Sequence, residues 1–424
     1  MTVSVAALQY ALKSLWPQER VKNEVYPDHA FLAMVKKRED FYGDGMYIAV
    51  RTGDPQGRSA AFSTAQSISN ASSVAGNSGA ARGSRFYITR VSDYQVINLT
   101  TEAILAAKKD EGALIRSLDT EMKAGMNNIG KSLATALYRG KSGALGRIGA
   151  ITANTTVSAD ITLANINDIT SFEVGMVLVA APATDVTAAV RSTPGTAPIT
   201  MINRDLGTLR VTGDFSGTNW ATASSGDFLI SQGDAQNGGS AALKTSGLAD
   251  WLPTTAPTAG DSFWGVDRST DTTRLAGLRI DVSALNPEEG LMTVLSKQAR
   301  EGGKPTNVFS NHFDYRNIML SLGSKVENEY VAVGEIGFET LKVRGPKGIV
   351  AVVADQDCPA GTSYSLDMST WTYYSLEGAP QILDLDGNQL SRMATADQFE
   401  ARIVYFGNLA CDAPGFNAVV TMPS

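Results

Sequence analysis

The stretch from Thr101 to Arg139 constrains this chain more than any other. No proline falls between Glu102 and Arg139. Ile115, Leu118, Met122, Met126, Ile129, Leu133 and Leu137 recur every three or four residues, the period of one helix face, with charged residues between them. Thr100 and Thr101 can cap its start, and Gly140 with Gly143 can end it. A helix of this length spans roughly 57 Å at about 1.5 Å per residue. Gly112, Gly125 and Gly130 are the places to expect a kink. So long a helix with one apolar stripe must lie along something, and the flanking segments read as β-rich.

Before the helix, residues 1–42 read as a short amphipathic helix and a polar arm. Met46–Arg51 (MYIAVR) and Arg85–Val91 (RFYITRV) alternate as strands do. Between them lies a Ser, Ala, Gly and Asn tract too long for an ordinary connection. We read residues 43–92 as a projecting hairpin whose tip, residues 56–83, orders against a partner. The helix then belongs to a unit at 93–149.

Beyond it, residues 150–235 carry the strand-like runs VGMVLVA, ITMINR, TLRVTG and DFLIS, with a tight turn at Asp205-Leu206-Gly207. This reads as a small all-β insertion, followed by a linker and connection at 236–285. Residues 286–362 form a mixed α/β unit: a helix capped by Asn286, a strand at TNVFS, a helix capped by Asn311, then strands at ETLKVR and IVAVVAD. Residues 363–424 return through further strands, with Asp386-Gly387 read as a hairpin turn.

Composition excludes more than it identifies. The net charge of −7 argues against a nucleic-acid reader working through a basic face. Two cysteines, Cys358 and Cys411, are too few for a disulfide scaffold and read as reduced thiols, a disulfide between them being the alternative. No apolar run is long enough to span a membrane, and the opening residues lack the basic start of a signal peptide.

Candidate chemistry is sparse. Gly125–Ser132 (GMNNIGKS) satisfies the P-loop pattern, but a P-loop follows a buried strand and opens a helix. Here the match sits inside a helical stretch, so we read it as accidental. Asp384-Leu385-Asp386-Gly387 lacks the further ligands of a calcium loop. His29 and His312 lie far apart, without the clustered cysteines of a zinc site. We expect no cofactor, no metal and no enzyme.

The order of parts and several local stretches resemble the major capsid proteins of tailed double-stranded DNA bacteriophages, the Hong Kong phage fold. The stretches are SFWGVDRSTDTTRLAG (262–277), AREGGKPTNVFSNHFDYRNIMLSLGSKV (299–326), GEIGFETLKVRGPKGIVAVVADQDCPAG (334–361), MSTWTYYSLEGAPQILDLDG (368–387) and FEARIVYFGNLACDAPGFNAVV (399–420). The resemblance implies an α+β fold with N-terminal arm, extended loop, spine helix at 101–139, and peripheral and axial domains, the axial one at 286–362. It implies a shell subunit forming hexamers and pentamers around double-stranded DNA without sequence-specific contact. A portal, a separate scaffolding protein and decoration proteins are the expected partners, with assembly in the host bacterial cytoplasm. Arg51, Arg58, Phe62, Ile68, Val74, Arg82 and Arg85 are the expected inter-subunit contacts. Two departures stand out. The prototype cross-links a loop lysine to a neighbour's asparagine, but no lysine lies between Lys37 and Lys108. Nor does the hairpin's early start leave room for a fused scaffolding segment. The alternatives are a P-loop nucleotide-binding enzyme, or another virion component such as a tail or baseplate protein.

Overall fold

In a computed structural model, the described residues are 13–54, 57–70, 82–102, 111–155, 157–182, 190, 196–213, 220, 223–234, 243–322, 327–333, 336–384, 388–393 and 395–423. The arm contains α1 (Gln18–Val25), α2 (Ala30–Met34) and β1 (Lys36–Arg38). It has more to bury than its charge suggests: Trp16, Val21, Val25, Phe31 and Leu32 are almost wholly covered. Next come β2 (Gly45–Gly53), α3 (Phe62–Asn70) and β3 (Arg82–Thr89), with β2 and β3 paired antiparallel as the alternation implies. Helix α3 lies within the tip at 56–83, where the sequence pattern marks no helix.

Strand β4 (Val91–Thr100) leads to the long helix α4, Glu111–Arg139. Residues 103–110 of the expected span lie outside the described residues. Leu118, Met122, Met126, Ile129, Leu133 and Leu137 are all buried, so the stripe read from the sequence is the face that packs. Neither Gly125 nor Gly130 interrupts the helix. They are places of close approach: a Cβ at Gly125 would come 2.7 Å from Ile97, and one at Gly130 would come 2.5 Å from Val25. Gly140 ends the helix at φ +91, a conformation costly for any residue with a Cβ.

The insertion is a closed six-stranded barrel of β5 (Ala144–Thr155), β6 (Ser158–Leu163), β7 (Val177–Ala181), β8 (Ala197–Asn203), β9 (Thr208–Thr212) and β10 (Phe228–Ser231). It starts earlier than the sequence reading placed it, because β5 begins at Ala144. Asn203 Oδ1 accepts from the amides of Asp205 and Leu206, at 3.1 Å each, in the expected turn. Ile148, Ile161, Phe172, Leu209, Val211 and Leu229 fill the interior.

Helix α5 (Leu248–Trp251) and the ribbon of β11 (Ser262–Phe263) and β12 (Val266–Asp267) lead to β13 (Leu278–Asp281). Then follow α6 (Pro287–Arg300), β14 (Asn307–Ser310), α7 (His312–Leu322), β15 (Glu327–Val333), β16 (Ile336–Gly345), β17 (Gly348–Ala354) and β18 (Thr362–Leu366). Asn311 caps α7 by accepting from the Phe313 amide, whereas Asn286 holds the cap position of α6 without a side-chain cap bond. The chain closes with β19 (Trp371–Ser375), β20 (Gln381–Ile382), β21 (Leu390–Arg392), β22 (Gln398–Cys411) and β23 (Ala418–Thr421).

Two sheets organise these elements. One has seven strands in the order β13-β23-β18-β14-β17-β16-β15. Its strands are apolar on both faces, as buried strands are. Val308, Val352 and Val420 face α6 and α7, while the adjacent Phe309, Val353 and Val419 join the core around α4. The other sheet is built on β22, which pairs with β4 along one edge and with β19, β20 and β21 in succession. The expected hairpin between QILDL and NQLSRM is therefore corrected: β20 and β21 pair with β22, and not with each other. Residues 385–387 of that turn lie outside the described residues.

Candidate assembly surface

Strict alternation divides the hairpin into two unlike faces. Ile48, Val50, Phe86 and Ile88 turn inward and are buried, with the Phe86 ring 5.1 Å from Trp251 and 6.3 Å from Phe263. Its base is further held where the Tyr87 amide donates to the Trp264 carbonyl at 2.9 Å. Trp264 adopts φ +50 in the turn between β11 and β12, a rare conformation for so large a residue. Opposite, Tyr47 and Tyr87 stack with centroids 4.9 Å apart, and the Arg85 guanidinium lies 4.3 Å over Tyr47. This outward face is exposed tyrosine and arginine, the residue types enriched at protein interfaces.

Farther along, Arg51 Nε lies 3.0 Å from Asp54 Oδ1, and Arg274 lies 3.6 Å from Asp54 Oδ2. Helix α3 then presents Phe62, 82% exposed, and Ile68, 36% exposed. Of the seven expected contact residues, Arg51, Arg58, Phe62, Ile68 and Arg85 are thus on the surface of one hairpin. Val74 and the Arg82 side chain lie outside the described residues. The sequence reading missed exposed Tyr42, Tyr47, Tyr87 and Tyr94. For Tyr47 and Tyr87 the signal was present, since each alternates with buried neighbours.

The other candidate chemistry resolves into structure. Gly125–Ser132 lies within α4. Lys131 Nζ pairs with Glu173 of the barrel at 3.1 Å, and Ser132 Oγ donates to Asp93 at 2.9 Å. No loop of backbone amides is available there to cradle phosphate. A cleft of about 670 Å³ does open between α4, β4 and the barrel, but its charges are engaged with one another. Lys244 Nζ reaches Asp93 at 2.5 Å and Asp234 at 3.0 Å, and Arg139 reaches Asp168 at 2.6 Å. Asp384, from the calcium-like stretch, pairs with Lys13 at 2.8 Å. No group of His, Cys, Asp and Glu side chains suited to a metal occurs among the described residues.

The considered Cys358–Cys411 disulfide is not formed: both thiols are free and buried. Cys358 Sγ lies 3.3 Å from the Thr362 carbonyl, and Cys411 Sγ lies 3.8 Å from Thr370 Oγ1. Burial pushes both thiols well above the ordinary cysteine range.

The chain is α+β, and its order of arm, long hairpin, long helix, inserted barrel, helix-flanked sheet and returning strands follows the order of parts expected from the resemblance. No family profile and no curated protein matches the chain. Among solved structures, a chain of the cyanophage A-1(L) capsid is similar over 94% of this chain and 92% of its own, with TM-score 0.48 and 10% identity. The capsid chain of a native GTA particle is similar over 94% and 91%, with TM-score 0.44 and 8% identity. A virus-like particle from Pyrococcus furiosus is similar over 98% of both chains, with TM-score 0.38 and 7% identity. With TM-scores below 0.5, these likenesses carry no weight for function.

Proposed function

We propose that the chain is the major capsid subunit of a phage shell, tiling hexamers and pentamers around double-stranded DNA. Helix α3 is the observation that carries this reading. A nine-residue helix is not stable by itself in water, and every residue of 61–69 except Ala65 is exposed. Its apolar residues fit a surface on another subunit, and a ring of such heterologous contacts closes by symmetry. The net charge of −7 suits a wall that encloses DNA without reading it. A portal, a scaffolding protein and decoration proteins are the further partners this reading implies, with assembly in the bacterial cytoplasm.

Expression of the chain, size-exclusion chromatography and negative-stain microscopy test it. Closed shells or capsomers are expected; a monomer that binds nucleotide, or tubes, would overturn the reading. Phe62→Ser tests the role of α3. At 82% exposure the change should leave the melting temperature of the subunit where it was and lower the yield of shells. Undiminished yield would remove α3 from the contact.

A further inference from the structure

Three distant segments meet around His29. It lies between the two short helices of the arm and is only 5% exposed. Its Nδ1 lies 2.5 Å from Asp357 Oδ2, and the two residues are 328 positions apart in sequence. Asp355, at the end of β17, accepts through Oδ2 from the Phe31 amide of α2 and from the Tyr138 hydroxyl of α4, both at 2.9 Å. Its Oδ1 accepts from the Asp357 amide at 3.1 Å, and Gln356 Nε2 donates to the Asp28 carbonyl at 3.2 Å. Arm, long helix and central sheet are thus joined through one small polar cluster inside an apolar core. Beside it is a cavity of about 150 Å³, lined by Glu24, Asp28, Asn127, Lys131 and Gln356 among others.

We propose that His29, Asp357 and Asp355 form a proton-dependent latch, in which the charged imidazole clamps the arm against α4 and the seven-stranded sheet, and loss of its proton loosens the arm. The charges facing the cluster favour the proton. Asp28 and Glu24 come from the arm, Asp355 and Asp357 from the end of β17, and Asp314 from the start of α7; the cations nearby are Lys131 and Arg139 of α4. The hydroxyls of Tyr138 and Tyr364 and the Cys358 thiol stay neutral, because burial raises all three. Burial alone would lower the His29 pKa. The Asp357 hydrogen bond and charge, with Asp355 and Asp28 beyond, outweigh it and hold the value above that of ordinary histidine. Asp355 is pushed up to about 6 by burial and then by the Asp357 charge, so above that pH a second buried anion faces the imidazolium.

The direction follows from linkage. A histidine whose pKa is higher in the docked state stabilises that state fully at low pH, and the gain is lost as pH rises through the docked value. Without the proton, Asp357 is left as a buried carboxylate with no cation against it, which is costly. Opening of the arm should therefore grow by up to tenfold for each unit by which the His29 pKa exceeds its free value.

Hydrogen exchange of the full chain between pH 6 and 9, at labelling times corrected for the intrinsic rate, tests this. Protection of residues 29–35 should fall as pH rises in the wild type and in His312→Gln. In His29→Gln it should be flat, at the level the wild type reaches at high pH, and Asp357→Asn should also lose the slope. A flat wild-type profile, or the same slope in His29→Gln, would overturn the latch. Should the variants fail to fold, imidazole NMR of the wild type decides, since His29 and His312 are the only two histidines. A His29 titrating at or below the ordinary histidine value ends the proposal; one titrating above it supports it.

Discussion

Arg139 Nη2 lies 2.6 Å from Asp168 Oδ1, with the two side chains only 15% and 10% exposed, and this pair fastens the inserted barrel to the last turn of α4. A cation at a helix C-terminus is already favoured by the backbone dipole. The carboxylate of the barrel then completes a mostly buried pair. Asp168→Ala leaves the guanidinium without its charge partner and should cost about 3–5 kcal/mol. Calorimetry checks the loss, and limited proteolysis should show faster cleavage near 143–145, where the barrel joins the helix. Unchanged proteolysis would mean that the barrel is held by other contacts.

The P-loop match should be inert. Lys131→Ala removes an exposed pair with Glu173, worth about 0–1 kcal/mol, and should leave stability and assembly nearly unchanged. Calorimetric titration with ATP should give no saturable binding in either form. Micromolar binding lost in the variant would contradict the helical reading.

Two glycines of α4 should respond differently to alanine. Each substitution gains about 1 kcal/mol of helix propensity. At Gly130 the new methyl meets a stiff branch of Val25 at 2.5 Å, so overpacking of about 1–3 kcal/mol should prevail. At Gly125 it meets the mobile ends of Ile97 and Ile403, at 2.7 and 3.0 Å, and the two effects should nearly cancel. Urea denaturation compares them, and equal costs would show that side-chain stiffness does not decide.

Both thiols should be silent in the folded chain. Burial holds Cys358 and Cys411 in the protonated form, which is a poor nucleophile. A thiol reagent should react with neither until the protein is unfolded, and then with both. Particles boiled without reductant should run as monomers of 44.8 kDa. A ladder that collapses only on reduction would place a disulfide between subunits.

Asp250 makes stability depend on pH. Its carboxylate accepts from the Lys141 amide at 2.7 Å, beyond the end of α4, yet burial pushes it up to about 6. The folded state therefore binds a proton that the unfolded chain, with a carboxylate pKa of about 3.9, has released. Stability should fall as pH rises from about 4 to about 6 and show no further loss from this group above that. Asp250→Asn should remove that part of the slope, on the order of 2–3 kcal/mol across the window. Chemical denaturation at several pH values measures it, and an unchanged slope would exonerate Asp250.

Local periodicity was enough to locate what a single element decides for itself. The apolar stripe of α4, the alternation of β2 and β3 and the Asn311 cap depend on neighbours a few residues away, so all are legible in order along the chain. The exposed arginines and Phe62 of the hairpin were legible too, because a polar tract that cannot cover its own apolar residues leaves them on the surface. Strand β5 was not, since Gly146 and Gly149 interrupt its apolar pattern. They are there because a Cβ at Gly146 would come 3.2 Å from Phe172 and one at Gly149 3.1 Å from Ala164, neighbours known only once the barrel has closed. The same holds for β20 and β21, whose turn-like connection invites a hairpin while β22 offers both a longer partner. It holds most of all for His29. Nothing near it in sequence marks a buried imidazole, and its partner arrives from Asp357 only when the arm has been laid across the long helix. Contacts set by pattern lie within a few residues, whereas pairings between remote segments depend on which surfaces the packed core brings together, and there the tertiary structure alone decides.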